Sequence, residues 1–248
     1  MENGNTAEKK FVNFAHRGAS EYAPENTALA FNLGVFMGAN GIETDVWMTK
    51  DGVAVLFHDD TLERVTGEKG SITDYTYEEL LHFRVRKGNL TDRIITLEAF
   101  LRDFGWRDLT FAIELKGPGA EKTVADMIKK FDVESNCTVT SFEISYLKNI
   151  HKYAPALKLG YLTSRYDDEL MEELRVLGIR EYCPEAKHVT RELVNRWHEN
   201  GFYVRAWGVF NEDLMRNAYY AGVDGMTLNF PDRFKSISIF KCEKGKKK

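Results

Sequence analysis

Two histidines and three carboxylates are the side chains in this sequence whose types and spacing could do chemistry. One short apolar run ends in His16, and a second one leads to His58. Glu43 and Asp45 stand two residues apart in another apolar run, and a further run carries Glu114. Histidine transfers protons near neutral pH, and clustered carboxylates bind hard divalent cations. If the fold brings these five residues together, they predict metal-assisted acid–base chemistry.

Two basic side chains accompany these groups. Arg17 directly follows His16, and Lys116 lies two residues beyond Glu114. Fixed positive charges beside a cation would stabilise negative charge on phosphoryl oxygens. The set therefore indicates phosphoryl chemistry, in which one imidazole takes a proton from a nucleophilic hydroxyl and the other protonates the departing alkoxide.

An alternation of β-rich runs and helical patterns must position these residues. Strands are predicted at Phe11–Ala15, Gly41–Val46, Leu109–Leu115, Cys137–Ser141, Lys158–Leu162, Glu181–Cys183, Phe202–Trp207 and Gly225–Leu228. Helices are predicted between most of them, at Asn26–Ala39, Leu97–Phe104, Ala120–Phe131, Ile144–Tyr153, Asp167–Leu177, Thr190–Asn200 and Glu212–Ala221. Eight such units without a glycine-rich nucleotide loop favour an α/β fold of the (β/α)8 TIM type over a doubly wound sheet. Asn26 is predicted to cap the first helix, which begins at Thr27.

In such a barrel, residues at the C-terminal ends of the strands converge on one face. Glu43 and Asp45 share one side of their strand, and Glu114 can join them from the neighbouring strand. Charged side chains facing a barrel interior are costly unless they are paired or bind a metal. The three carboxylates therefore predict one divalent cation, Mg²⁺ or Ca²⁺, as both take oxygen ligands. Ion pairing on an edge strand is the alternative for Glu43 and Asp45.

His58 is predicted to reach this cation through a β-hairpin that extends the second strand. Asp51-Gly52 is a preferred pair for a two-residue type I′ turn. Such a turn pairs Lys50 with Val53 and places Asp45 directly opposite His58. A three-residue loop would instead direct His58 to the other face of the sheet.

The chain is predicted to form one domain. Residues 11–235 make the barrel, which carries a small insertion after the second strand at about 59–95. The insertion shows no clear periodicity beyond a possible helix at Tyr77–Phe83. Residues 1–10 and 236–248 are predicted to be tails.

Composition limits the classes of protein to which the chain could belong. Hydrophobic residues make up 43% of its 248 residues and charged residues 29%, which is typical of a globular protein with a core. A net charge of −4 argues against nucleic-acid binding, and the basic cluster Lys244–Lys248 is expected to be solvated. Three scattered cysteines (Cys137, Cys183 and Cys242) suit a reducing compartment. With neither a signal peptide nor an apolar membrane span, a cytoplasmic protein is expected. The oligomeric state stays open.

Four motifs between Val12 and Asp232 together resemble the glycerophosphodiester phosphodiesterase family. They read AHRGASEYAPENTALAF, GIETDVWMTKDGVAVLFHDDTLERVTG, IELK and AGVDGMTLNFPD. The resemblance implies a TIM-type barrel with a small insertion after the second strand. It also implies metal-dependent hydrolysis of glycerophosphodiesters, small-molecule substrates, to glycerol 3-phosphate and an alcohol.

Carried over by position, the resemblance assigns roles to individual residues. His16 and His58 would be the acid–base pair, while Arg17 and Lys116 would contact the phosphate. The metal ligands would be Glu43, Asp45 and Glu114.

Two aromatic residues would line the substrate pocket by the same resemblance. Trp207 matches the tryptophan on the seventh strand that borders the glycerol pocket, and Phe142, which follows Ser141, would form part of the pocket wall. After that tryptophan the family usually has threonine, valine and asparagine. This chain has Gly208, Val209 and Phe210 there, so the usual asparagine and any polar contact that it makes are not expected at that position.

Two other functions remain alternatives. A lysophospholipase D-like phosphodiesterase would need an apolar groove for an acyl chain, and the insertion shows no long exposed apolar run. A non-catalytic phosphodiester-binding barrel would have no reason to keep its costly buried charges. The alcohol released, the choice of Mg²⁺ or Ca²⁺, and the assignment of acid and base between the two histidines stay open.

Overall fold

The computed structural model describes residues 11–237, so the predicted N-terminal tail, Cys242 and the basic cluster lie outside the described residues. The strands in chain order are β1 (Val12–His16), β2 (Gly41–Met48), β3 (Ala54–Leu56), β4 (Val85–Lys87), β5 (Leu90–Asp92), β6 (Thr110–Leu115), β7 (Cys137–Ser141), β8 (Lys158–Thr163), β9 (Glu181–Pro184), β10 (Tyr203–Val209) and β11 (Gly225–Leu228). The α-helices are α1 (Ala28–Phe36), α2 (Glu63–Thr66), α3 (Tyr77–Leu80), α4 (Leu97–Phe104), α5 (Glu121–Lys130), α6 (Ile144–Tyr153), α7 (Asp168–Val176), α8 (Arg191–Glu199) and α9 (Glu212–Ala221).

Within residues 11–237, eight parallel strands close into a barrel, which confirms the predicted fold. Their order around the barrel is β1-β2-β6-β7-β8-β9-β10-β11, and β11 pairs back onto β1. The register places His16 beside Glu43 and Asp45 beside Glu114. Four of the predicted site residues therefore lie on three adjacent strands, near their C-terminal ends.

Helix α1 begins one residue later than the sequence predicts, because Thr27 rather than Asn26 is its N-cap. The Thr27 side chain accepts a hydrogen bond from the Ala30 N–H, and its backbone is extended, as a helix cap requires. Asn26 has a left-handed backbone, with φ of 56°, which is incompatible with that position. The prediction for Asn26 was wrong, and its side-chain amide contacts Asp45 instead.

The hairpin after β2 also differs from the prediction. Strand β3 pairs with β2 so that Val46 lies opposite Leu56, and Thr49 N–H donates to the Val53 carbonyl at 2.9 Å. The loop thus has three residues rather than two, and Asp45 is not the cross-strand partner of His58. The Thr49 hydroxyl favours this loop, since it accepts from Val53 N–H at 2.9 Å, and Gly52 supplies the required positive φ of 78°.

Residues 59–95 form a small unit packed on the barrel's C-terminal side. It contains α2, α3 and the β4–β5 hairpin. Helix α3 confirms the start of the helix predicted at Tyr77–Phe83, whereas α2 and the hairpin were not predicted. Its apolar side chains pack with β3 in a cluster distinct from the main barrel core: Val55, Phe57, Leu62, Val65, Ile72, Leu80, Val85 and Ile94. The main core lies between the barrel and the outer helices and includes Ile237.

Among residues 11–237, none of the helices is both long and apolar enough to cross a bilayer. Cys137 and Cys183 are buried as free thiols.

Candidate active site

A cavity of about 150 Å³ opens at the C-terminal ends of the barrel strands. Seven of the nine predicted site residues line it: His16, Arg17, Glu43, His58, Glu114, Phe142 and Trp207. Asp45 and Lys116, the other two, form ion pairs with members of this group: Asp45 with Arg17, and Lys116 with Glu114. The structure therefore brings all nine residues together, including His58 despite the altered hairpin register.

The carboxylates of Glu43, Asp45 and Glu114 form one buried cluster. Each offers an oxygen within 4.8 Å of the other two. Burial raises the pKa of Glu114 to about 7, with the Asp45 charge adding to the shift. Burial, followed by the charges of Asp45 and Glu114, also raises the pKa of Glu43 well above its usual range. Such repulsion among buried carboxylates indicates a place for positive charge.

The cluster fits a hard divalent cation by its donor chemistry. All three side chains supply oxygen, the element that Mg²⁺ and Ca²⁺ prefer. Asp45 Oδ1 is buried without a hydrogen-bond partner among the described residues, and its nearest cation is Lys116 Nζ at 3.8 Å. A buried, unpartnered carboxylate oxygen beside two further carboxylates is an arrangement that could hold a metal.

Asn26 fixes the orientation of Asp45. Its Nδ2 donates to Asp45 Oδ2 at 2.8 Å, while its Oδ1 accepts from the Thr44 hydroxyl at 2.7 Å. Asn26 is itself 1% exposed. Although burial opposes ionisation of Asp45, the charges of Arg17 and then Lys116 hold its pKa below the usual range. Asp45 is thus kept ionised and pointed in one direction.

The two basic side chains border the cluster. Arg17 Nε lies 3.2 Å from Asp45 Oδ2, and its backbone N–H donates to Glu43 Oε2 at 3.1 Å. Lys116 Nζ donates to Glu114 Oε1 at 2.9 Å. Burial lowers the pKa of Lys116, but the Asp45 and Glu114 charges outweigh it and keep the ammonium protonated. Two fixed positive charges therefore stand beside the cavity.

Both histidines use Nδ1 to contact an oxygen on the protein. His16 Nδ1 lies 2.6 Å from Asn229 Oδ1, and His58 Nδ1 lies 2.6 Å from Asp59 Oδ1. Because these oxygens only accept, each Nδ1 carries a proton, and each Nε2 is left for chemistry. His16 Nε2 lies 3.9 Å from Glu43 Oε2. Burial, assisted by the Arg17 charge, lowers the pKa of His16 to about 3.

Aromatic side chains form part of the cavity wall. The rings of Phe142 and Trp207 meet edge to face with centroids 5.0 Å apart. Phe210 also lines the cavity and is 65% exposed. The next residue, Asn211, caps α9 by accepting from Leu214 N–H at 2.9 Å. Its amide is therefore engaged in the helix.

Comparison with known proteins identifies the family. The model of the glycerophosphoryl diester phosphodiesterase family matches residues 16–233. The chain belongs to this family. A glycerophosphodiester phosphodiesterase from Bacillus altitudinis is 37% identical over 238 residues, which cover 90% of this chain and 96% of that protein.

Solved structures of the family share the fold. A glycerophosphodiester phosphodiesterase from Thermotoga maritima superposes with a TM-score of 0.77 at 26% identity, covering 92% of this chain and 98% of the other. A phosphodiesterase from Oleispira antarctica, solved in complex with sn-glycerol-3-phosphate, superposes with a TM-score of 0.81 at 25% identity, covering 90% and 94% of the two chains. The predicted family and barrel are thereby confirmed, and the chain is a phosphoric diester hydrolase.

Several polar residues that support the candidate site were not predicted from the sequence. Asn229 holds His16 and also accepts from the Ser20 hydroxyl at 3.0 Å. Arg205 lines the cavity floor, where its Nε donates to the buried Glu181 at 2.5 Å. Asp59 is the one residue of this group that a local pattern could have revealed, because it directly follows His58 in the sequence.

Proposed function

We propose that this chain hydrolyses glycerophosphodiesters to glycerol 3-phosphate and an alcohol by acid–base catalysis from His16 and His58. One observation carries the proposal: two imidazoles with free Nε2 atoms share one cavity with three buried carboxylates and two fixed cations. The product named in the Oleispira antarctica structure is consistent with it.

Glu43, Asp45 and Glu114 are the residues that would hold a divalent cation, Mg²⁺ or Ca²⁺. A cation bound there would supply positive charge that stabilises the phosphoryl oxygens during the reaction. Arg17 and Lys116 add further positive charge, and in this proposal they orient the phosphate. Because Phe142 and Trp207 supply apolar surface to the same cavity, they would hold the carbon skeleton of the glycerol.

We assign the two histidines different roles from their surroundings. Burial and then the Arg17 charge lower the pKa of His16 to about 3, so this ring favours the neutral imidazole, and Asn229 holds its Nδ1. A neutral imidazole accepts a proton at Nε2, and His16 is therefore the general base. Burial also lowers the pKa of His58, but the carboxylates of Asp45 and Asp59 oppose that shift, and Asp59 contacts the ring at Nδ1, where it would stabilise an imidazolium. His58 would then donate a proton from Nε2 to the departing alkoxide.

The nucleophile in this scheme is the free glycerol hydroxyl next to the ester. His16 takes its proton, and a cyclic phosphate forms as the alcohol leaves with a proton from His58. Water then opens the cyclic phosphate with the two histidines in exchanged roles. Direct attack by water would use the same residues.

Release of glycerol 3-phosphate tests the proposal. The substrates are glycerophosphocholine, glycerophosphoethanolamine and glycerophosphoglycerol, each with added Mg²⁺, with Ca²⁺ and with EDTA. We expect turnover that requires a divalent cation, and a Glu114→Gln variant that binds the cation more weakly while folding normally. Absence of turnover on every diester would contradict the proposed reaction, and full turnover in EDTA would contradict the metal.

The same assay separates the alternatives. Lysophosphatidylcholine as substrate detects a lysophospholipase D-like activity, and choline release is measured in that case. Binding of glycerophosphocholine without any turnover would instead indicate a non-catalytic barrel.

A further inference from the structure

Arg64, in helix α2 of the insertion, bridges the carboxylates of Asp59 and Glu25. Its Nε donates to Asp59 Oδ2 at 2.5 Å, and its Nη2 donates to Asp59 Oδ1 at 3.0 Å. The same guanidinium donates to Glu25 through Nη1 at 2.8 Å and Nη2 at 2.7 Å. Arg64 therefore makes a two-pronged contact with each carboxylate, which only the planar fork of arginine allows.

Each of these carboxylates holds a residue of the proposed catalytic site. Asp59 Oδ1 accepts from His58 Nδ1 at 2.6 Å, and Glu25 Oε1 accepts from Arg17 Nη1 at 3.0 Å. A continuous chain of charged contacts thus runs from His58 through Asp59, Arg64 and Glu25 to Arg17. Its two ends line the same cavity.

The backbone that carries Arg64 is anchored in the insertion's own core. Leu62 and Val65, on either side of it, are buried in that core. The Thr66 carbonyl, at the end of the helix, accepts from Arg86 Nε of strand β4 at 3.4 Å. The guanidinium is therefore presented from a fixed position, although its side chain is 48% exposed.

We propose that Arg64 is a positioning residue that locks the His58 ring and the Arg17 guanidinium in their working orientations. This inference rests on the proposed function and gives the insertion a role in it. Asp59 is a short side chain that can rotate, and without Arg64 its carboxylate would lose the contacts that set its plane. His58 would then lose its fixed Nδ1–H tautomer, while Glu25 would no longer be held against Arg17.

The physical signature of this role is a loss of turnover without a matching loss of stability. The Arg64 guanidinium is half-exposed and its pairs are screened by water, although two bidentate pairs in a network add more to the free energy of unfolding than an isolated surface pair does. Removing the outer partner of a functional histidine, by contrast, typically lowers activity by about 10–100-fold, as is known for metal-site histidines.

Three variants test the proposal by steady-state kinetics on the preferred diester. Arg64→Met keeps the length of the side chain and removes its charge, and it should lower kcat by about 10–100-fold while its melting temperature stays well above the assay temperature. Arg64→Lys keeps the charge but cannot bridge both carboxylates, so it should restore little of the loss. Arg102→Met is the matched control, since Arg102 is an exposed arginine paired with its neighbour Asp103 on the outer helix α4, and it should behave as the unmodified protein.

A double-mutant cycle and a spectroscopic readout complete the test. Asp59→Asn combined with Arg64→Met should lose less activity than the product of the two single losses, because both variants disturb His58 and they differ only in the Glu25–Arg17 contact that Arg64 supports. Nitrogen-15 NMR of the His58 ring should show the Nδ1–H tautomer in the unmodified protein and a mixture of tautomers in Arg64→Met.

Normal kcat in Arg64→Met together with an unchanged His58 tautomer would overturn the proposal, as would full activity in Arg64→Lys. If Arg64→Met fails to fold, Arg64→Lys decides by the same two measurements. If the unmodified protein hydrolyses none of the diesters, the proposed function fails, and the tautomer comparison still decides the role of Arg64.

Discussion

Asn26 Nδ2 donates a 2.8 Å hydrogen bond to Asp45 Oδ2 from a residue whose backbone is left-handed. Asparagine tolerates that conformation better than other residues with a Cβ, and its amide can satisfy a carboxylate and a hydroxyl at once. The loop after β1 thus uses one buried asparagine to orient a candidate metal ligand on β2.

Replacing Asn26 should weaken the metal site. Asn26→Gly keeps the backbone conformation and deletes the amide, so it should reduce affinity for Mg²⁺ and destabilise the fold by about 1–3 kcal/mol, because Asp45 and Thr44 lose a buried partner. Asn26→Ala loses the same contacts and adds backbone strain of about 1 kcal/mol. Calorimetric Mg²⁺ titration and thermal unfolding measure the two effects. Unchanged Mg²⁺ affinity in Asn26→Gly would show that Asp45 needs no such support.

Metal binding should stabilise the protein more at pH 8 than at pH 6. The pKa of Glu114 is about 7 in the folded, metal-free protein against an ordinary value of 4.5, so the folded state holds a proton that the unfolded chain releases. The stability that protonated Glu114 contributes is fully present below about pH 4.5 and is lost as pH rises through 7. A divalent cation binds the ionised carboxylate. At pH 8 Glu114 is already ionised, whereas at pH 6 the cation must first displace its proton.

Melting temperatures in EDTA and in saturating Mg²⁺, recorded at pH 6 and pH 8, measure this effect. Glu114→Gln is the control, because its side chain does not titrate and its metal-free stability should depend less on pH. An equal metal-induced shift at both pH values in the unmodified protein would contradict the prediction.

The two histidines should respond differently to the leaving group. His16→Ala and His58→Ala should each lose activity on natural diesters by about 10²–10⁴-fold, the usual contribution of proton transfer. A p-nitrophenyl diester of glycerol phosphate needs no protonation of its leaving group, so it should restore release of p-nitrophenol to His58→Ala and not to His16→Ala. His82→Ala, at an exposed position of the insertion, is the control and should retain full activity. Rescue of His16→Ala instead would reverse the two roles.

Gly117 should be intolerant of a side chain because Trp47 packs against it. A Cβ at this position would lie 2.3 Å from Trp47 Cζ3. Trp47 Nε1 donates to the His58 carbonyl at 3.1 Å, so moving the indole would also disturb His58. Gly117→Ala should therefore destabilise the fold by about 1–3 kcal/mol and lower kcat.

Gly119→Ala is the matched control for this variant. A Cβ there meets no described atom within 4 Å, and the positive φ of 85° adds strain alone. It should be destabilised by about 1 kcal/mol and keep its kcat. Equal kcat in the two variants would show that displacing Trp47 does not impair the function of His58.

The convergence of the carboxylates could be predicted from the sequence because barrel geometry decides it. Parallel strands in a closed barrel bring their C-terminal ends to one face, and Asp45 and Glu114 are direct neighbours on β2 and β6. Alternation along β2 then places Glu43 on the same side. These inferences need only strand positions, which apolar runs reveal.

The hairpin register could not be predicted, because Asp51-Gly52 is compatible with loops of two or three residues. The choice depends on contacts from outside the turn: the Lys50 N–H donates to the Tyr75 carbonyl at 2.9 Å, and Asp51 accepts from the Tyr77 N–H at 3.0 Å. His58 still lines the cavity because β3 ends at Leu56. His58 therefore lies beyond the paired strand residues, and the pairing of β2 with β3 does not set the direction of its side chain.

The supporting asparagines could not be found for a related reason. Asn26 and Asp45 are 19 residues apart in sequence, and His16 and Asn229 are 213 apart. No local pattern marks such pairs, and an asparagine in a loop is ordinarily explained by turn chemistry.

Because the insertion packs a core of its own, the site is shared between two packed units, and we expect the insertion to open before the barrel. His16 and the three carboxylates belong to barrel strands, whereas His58 stands at the edge of a unit with only eight buried apolar side chains in its cluster. Small packed units open more readily than the rest of a protein. Mild heating or low urea should therefore abolish turnover while the barrel is still folded, and hydrogen exchange should show residues 59–95 losing protection first.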